Sequence, residues 1–212
     1  MLKNSTATRE GSSAVPGSRP YPWPWDGHID PASLALLVIR APGSAPAAAV
    51  PLDRIGALAD LLERAGGTVI HVVTHAPFRR GIARDKSPTG PSNPRIVSDA
   101  APVVHAPGWN GFFDSTLDME LRRRGVTHLL LGGYWLEVGV HSTMRSGNDM
   151  GYECLLLEDA VVSADPTLTA ASLSSIEMSG GIFGAIGTST AAADAIRVPA
   201  VSSRLPSSTE ES

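Results

Sequence analysis

Leu129-Leu-Leu-Gly-Gly-Tyr-Trp-Leu-Glu-Val-Gly-Val-His-Ser-Thr-Met-Arg-Ser-Gly-Asn-Asp-Met-Gly-Tyr-Glu-Cys-Leu-Leu-Leu-Glu-Asp-Ala160 is the stretch on which the fold turns. An apolar run ends in a glycine pair, a short turn follows, and a helical segment opens near Glu137. A second apolar run, Cys154 to Leu157, then closes in Glu158-Asp159. Strand, turn, helix and strand in that order form the repeating unit of a parallel sheet.

The same alternation continues on both sides. Leu34 to Ile39 is a continuous apolar run that suits a strand buried on both faces. Ile55, Leu58, Ala59, Leu61 and Leu62 lie on one stripe of a helix over Asp53 to Ala65, which Gly66-Gly67 ends. Thr68 to Val73 reads as the next strand, and His75 to Pro102, rich in Pro, Gly, Ser and charge, as a long loop with the makings of a lid. Helices are expected over Leu117 to Arg124, Met144 to Met150 and Leu168 to Ser179, and strands over Thr127 to Leu131 and Ile182 to Ile186. The expected fold is α/β, a doubly wound parallel sheet with helices on both faces. Its ligand crevice would lie at the carboxyl ends of the strands, where Arg40, His75, Ala106 and Tyr134 to Gly139 gather.

Composition limits the function. With 212 residues, 42% hydrophobic and 18% charged, the chain can bury one substantial core. Residues 1–20, rich in Ser, Gly and Thr, and 197–212, ending in Ser-Ser-Thr-Glu-Glu-Ser, read as flexible tails around one domain over residues 21–196. A net charge of -4 argues against nucleic acid, which calls for a concentrated basic face. No apolar run reaches the roughly 20 residues of a bilayer span and no secretory signal opens the chain, so a cytoplasmic protein without a membrane partner is expected. The single cysteine, Cys154, excludes an internal disulfide and a thiolate metal cluster.

The opening stretch resembles the signature of isochorismatase-like cysteine hydrolases. Tyr21-Pro-Trp-Pro-Trp-Asp-Gly27 and Gly180-Gly-Ile-Phe-Gly-Ala-Ile186 look like the branch of that superfamily holding biuret and ureidoacrylate amidohydrolases, and the likeness covers roughly residues 21–196. The resemblance implies three catalytic positions. The aspartate that ends the family's first strand falls on Arg40 in Val38-Ile-Arg-Ala-Pro42, and the lysine falls on Ala106 in His105-Ala-Pro-Gly-Trp-Asn-Gly-Phe112. The nucleophilic cysteine falls on Gly139, so all three side chains are replaced. In such a site a thiolate attacks the amide carbonyl, the aspartate shuttles protons and the lysine holds the ionised pair. A guanidinium in place of the carboxylate stays charged and accepts no proton. No catalytic residue is therefore expected in this chain, and ancestral amide hydrolysis is expected to be abolished. The resemblance also places an unusual cis peptide at Tyr134-Trp135.

Other reactive residues have structural explanations. Cys154 sits in an apolar run and reads as an inert core thiol. His71, His128 and His141 read as packing or helix-surface residues, and no histidine and acid cluster suggests a metal or other cofactor. His75, His105, Trp109, Phe112, Tyr134 and Trp135 are candidates to line a ligand pocket with Arg40. Arg40 has two readings: an anion site beside the helix that starts near Glu137, or a salt bridge to Glu137 or Asp159 or across a subunit interface. Glu137 itself suits a helix start, where the macrodipole favours a carboxylate. Two functions follow as expectations. One is a non-catalytic paralogue assembling with itself or with an active amidohydrolase, as a homo- or hetero-oligomer. The other is a divergent hydrolase or binder for an amide, ureide or acidic small molecule.

Overall fold

Leu34–Arg40 forms strand β1, and its apolar run is buried on both faces as a central parallel strand requires. The computed structural model describes residues 14–40, 50–75 and 101–197. The expected His75 to Pro102 lid and most of both expected tails lie outside these residues. The remaining elements, in chain order, are α1 (Val50–Arg64), β2 (Thr68–Thr74), β3 (Val103–Ala106), α2 (Leu117–Arg123) and β4 (His128–Tyr134). A π-helical turn, Leu136–Val140, then runs into α3 (His141–Asp149). β5 (Glu153–Val162), α4 (Thr169–Glu177), β6 (Ala185–Gly187) and α5 (Ser189–Arg197) complete the described chain.

The sheet order is β3-β2-β1-β4-β5-β6, and every neighbouring pair of strands is parallel. The chain builds outward from β1 through β2 and β3, returns to place β4 on the other side of β1, and builds outward again. The reversal between β1 and β4 is the switch point at which doubly wound sheets open a crevice. Leu36, Val38, Leu130, Leu155 and Leu157 face α1 and α5 through Ile55, Leu58, Leu62 and Ala192. Leu37, Ile39, Leu129, Leu131 and Leu156 face α2, α3 and α4 through Leu121, Met144 and Ile176. The doubly wound α/β sheet read from the sequence is the fold observed.

Several boundaries differ for physical reasons. β4 runs through both glycines to Tyr134, because Gly132 and Gly133 stay in register with Val38 and Ile39 of β1. Gly133 has φ +113°, and a side chain there would overlap the Ile39 carbonyl, so the glycine permits the close approach. β3 and α5 were not anticipated. The expected strand from Ile182 contracts to Ala185–Gly187, because Gly181 and Gly184, both at positive φ, turn the chain through a Gly184 N–H bond to the Gly181 carbonyl. Ile182 is left 74% exposed in that turn.

The packed chain also begins earlier than Tyr21. Val15 is buried against the α1 and α5 face, and Arg19 forms an antiparallel bridge with Ile186 of β6. The Arg19 guanidinium pairs with Glu158 on β5 and Glu177 at the end of α4, which fixes this segment where a tail was expected.

Candidate functional site

Three strand ends build the crevice. Arg40 closes β1, Thr74 closes β2 beside Ala106 of β3, and Tyr134 closes β4. The chain then passes through a cis peptide at Tyr134-Trp135, as the family resemblance implied, and enters the π-helical turn that carries Gly139. A β-carbon on Gly139 would lie 3.1 Å from the Tyr134 carbonyl oxygen, 3.2 Å from Ile39 Cγ2 and 3.5 Å from Thr74 Oγ1. A side chain at position 139 would thus begin at the carboxyl ends of β1, β2 and β4. Ala106 is fully buried and adjoins Thr74 in register. The sheet therefore gathers Arg40, Ala106 and Gly139 around Thr74.

Two threonines, unanticipated from the sequence, hold this corner. The Thr74 hydroxyl donates to the Arg40 carbonyl at 3.0 Å, across the β1 and β2 ends. The Thr143 hydroxyl donates to the Gly139 carbonyl at 2.7 Å and accepts the Gly111 N–H at 2.9 Å, which fastens the π turn to the loop after β3. Both side chains are fully buried. Their only sequence signal is position, one at a strand end and the other one helical turn after Gly139.

Arg40 is half-buried. Burial lowers its guanidinium pKa, and neighbouring Tyr134 opposes that shift. Tyr134 is 4% exposed, its hydroxyl is buried without a hydrogen-bond partner among the described residues, and burial raises its pKa while Arg40 opposes. The two carboxylates offered as partners for Arg40 are engaged elsewhere. Glu137 accepts the N–H groups of Ala164 and Asp165 at 2.9 and 3.4 Å, tying the helix start to the chain after β5. Asp159 accepts the Ser189 N–H and hydroxyl at 2.7 and 2.8 Å and pairs with Arg54 at 3.5 Å, a framework contact at the start of α5.

The remaining expected lining residues divide. The His75 N–H donates to the Ala106 and Gly108 carbonyls, placing this histidine at the end of β2 next to the loop after β3. Its Nε2 lies 3.3 Å from His105 Nδ1 with the rings stacked, and burial, then His105, lowers the His75 pKa. Trp109 is half-buried in the loop after β3, and Trp135 packs edge-on against Tyr134. Phe112 lies off the crevice: its ring stacks on Tyr152 just before β5 and faces Gly147 of α3. A β-carbon on Gly147 would lie 3.1 Å from Cys154 Sγ, 3.3 Å from Leu129 Cδ1 and 3.4 Å from Phe112 Cε2, so the bare glycine lets α3 lie close to the sheet beside that ring.

Cys154 is fully buried, with its thiol pKa pushed up by burial. Its sulfur faces the Met144 and Tyr152 carbonyls at 3.8 and 3.6 Å, which makes it a core thiol rather than a displaced nucleophile. His128 packs edge-on against Trp23, and His141 accepts from Arg145 Nε at 3.1 Å beside Phe183. Among the described residues no group of three or more His, Cys, Asp or Glu could hold a metal ion, and no helix is long and apolar enough to cross a membrane.

The ends of β1 and β4 thus hold a half-buried cation, Arg40, and a buried phenol, Tyr134. None of Arg40, Ala106 and Gly139 carries a group that attacks a carbonyl or takes a proton.

Known proteins share this framework. A ureidoacrylate amidohydrolase from Enterobacter sp. (strain 638) is 37% identical over 100 residues, 47% of this chain and 42% of that protein. A ureidoacrylate amidohydrolase from Caulobacter vibrioides (strain ATCC 19089 / CIP 103742 / CB 15) is 40% identical over 76 residues, 34% of each chain. The matched part thus spans less than half the length of these curated relatives. An isochorismatase family protein from Burkholderia thailandensis superposes with a TM-score of 0.66 at 22% identity, covering 80% of this chain and 98% of the other. A cysteine hydrolase from Pseudomonas syringae pv. phaseolicola 1448A gives a TM-score of 0.65 at 19% identity, covering 79% and 94%. At these identities the two structures speak for the fold alone. The isochorismatase domain model matches residues 37–190, most of the sheet together with the π turn, and the chain belongs to the isochorismatase family.

Proposed function

We propose that this chain is a catalytically degenerate isochorismatase-family protein, a non-catalytic subunit that assembles with itself or with an active amidohydrolase of the family. The observation that carries this reading is the direction of position 139. A side chain there would start among Ile39, Thr74 and the Tyr134 carbonyl, at the heart of the crevice, and Gly139 supplies none. Arg40 at the end of β1 offers a permanent cation where proton transfer needs a group that exchanges protons near neutral pH. Ala106 supplies no amine. A framework retained around three chemically silent positions supports a role in assembly.

The test restores the missing groups. Arg40→Asp, Ala106→Lys and Gly139→Cys are introduced singly and together, and each protein is assayed for release of ammonia from ureidoacrylate and simple amides. Activity is expected only in the triple variant, because the three groups act as one unit. Turnover by the unmodified chain would overturn the proposal. Purification from the native host tests assembly separately, and a chain that always emerges alone and monomeric would defeat it.

A second reading, a divergent hydrolase or small-molecule binder for an amide, ureide or acidic ligand, is favoured by the half-buried Arg40 at the crevice mouth.

A further inference from the structure

We propose that the mouth between β1 and β4 is a binding site for a small monocarboxylate, clasped between the Arg40 guanidinium and the Tyr134 hydroxyl. The inference rests on the small-ligand reading above and gives that ligand a chemical class and a second anchoring residue.

The argument begins with the Tyr134 hydroxyl. The residue is 4% exposed, and its oxygen is buried with no hydrogen-bond partner among the described residues. Buried hydroxyls in folded proteins are nearly always hydrogen-bonded, so an orphan marks a place where a group from outside the chain completes the structure. Register supplies the neighbour. Ile39 stands opposite Gly133 across the β1 and β4 ladder, so the next residues, Arg40 and Tyr134, close the two strands side by side. Each of the two also feels the other electrostatically.

These donors define the ligand. A phenol O–H and a guanidinium fork both donate, and a carboxylate is a planar acceptor that can take bonds from both. The guanidinium carries five N–H donors, so it can serve this acceptor together with others. A neutral amide presents one acceptor oxygen and brings no charge to a half-buried cation. The site asks only for the carboxylate itself, so a small acid with a short aliphatic tail is the simplest ligand that meets it. Arginine at the end of β1 thereby gives the degenerate crevice an affinity that a carboxylate at the same position would repel.

Propionate and acrylate, with propionamide as the neutral isostere, are titrated into the full chain by calorimetry and ligand-observed NMR. Both acids are expected to bind on the order of ten-fold or more tightly than propionamide. Tyr134→Phe is expected to fold with an unchanged or higher Tm, since it removes an unpartnered buried hydroxyl, and to lose about ten-fold in propionate affinity. Arg40→Gln should erase the preference for acid over amide. Should that variant fail to fold, Arg40→Lys keeps the charge, loses the fork and should weaken propionate relative to the parent. Propionamide binding without propionate would overturn this inference and leave the small-ligand reading standing, whereas binding of neither would sink both. Parent-like propionate affinity in Tyr134→Phe, or a sharp fall in its Tm, would also overturn it.

Discussion

Asp159 on β5 and Tyr134 at the end of β4 belong to neighbouring strands, and their polar groups meet opposite fates. The Asp159 carboxylate receives the Ser189 N–H and hydroxyl and faces Arg54, so one side chain ties β5 to the starts of α5 and the α1 face. The Tyr134 hydroxyl is buried and finds no hydrogen-bond partner among the described residues. Glu137, Thr74 and Thr143 follow Asp159, each hydrogen-bonded to backbone that holds an element in place. These four side chains are matched within the chain, whereas Trp23 Nε1, in the core, shares the condition of the Tyr134 hydroxyl. The Tyr134 hydroxyl differs from Trp23 Nε1 in its place, at the end of β4 beside the end of β1.

The sharpest way to break the contrast is Gly133→Ala. A β-carbon there would overlap the Ile39 carbonyl at a backbone φ of +113°, so β1 and β4 would be forced apart at the mouth. A loss of about 3 kcal/mol or more in urea-unfolding free energy is expected. Asp159→Ala comes next, at about 2 kcal/mol, because it strips the start of α5 of two bonds to a charged acceptor.

Acid tests the same division by titration. Burial is the leading cause that lowers the pKa of His75, His128 and His141 below their ordinary value of 6.5. A histidine with a folded pKa below its unfolded one binds its proton more readily when unfolded. The stability it contributes is complete above about pH 6.5 and is lost as the pH falls through the folded values. Urea midpoints are expected to drop between about pH 7.5 and pH 5.5. His128→Gln and His75→Gln should each flatten that drop. The smallest effect is expected from Gly139→Ala, within about 1 kcal/mol of zero in thermal unfolding. Its gain in helix propensity is offset by contacts at 3.1 and 3.2 Å that need only slight adjustment. A tolerant position 139 keeps the triple variant interpretable.

The sheet was legible in the sequence wherever a strand was buried on both faces, because Leu34 to Ile39 and Cys154 to Leu157 leave no polar interruption to misread. β3 escaped notice because Val103-Val-His-Ala106 is short and its residues alternate between exposed and buried. α5 escaped because its inward face is mostly alanine, although Thr188, whose hydroxyl accepts the Ala191 N–H, is a helix-start signal that could have found it. The glycine pair after Leu131 resembled a turn, and only its register with β1 shows that the strand continues. The site was legible as positions along the chain. Arg40, Ala106 and Gly139 meet around Thr74, while Phe112, three residues from Trp109, turns under α3 because Gly147 leaves room for its ring. The fate of the Tyr134 hydroxyl depends on the packing around it, which no local pattern encodes.

The bridge between Arg19 and Ile186 has a consequence for how this protein meets others. β6 ends the sheet order, and a terminal strand of that kind is an open template on which another chain can extend the sheet. Here the Ile186 carbonyl accepts the Arg19 N–H at 3.0 Å and the Ile186 N–H donates to the Arg19 carbonyl at 2.7 Å. Ion pairs to Glu158 and Glu177 latch the blocking residue in place. The short rim is sealed at Ile186 by the segment around Arg19, which guards it there against uncontrolled growth into fibrous aggregates.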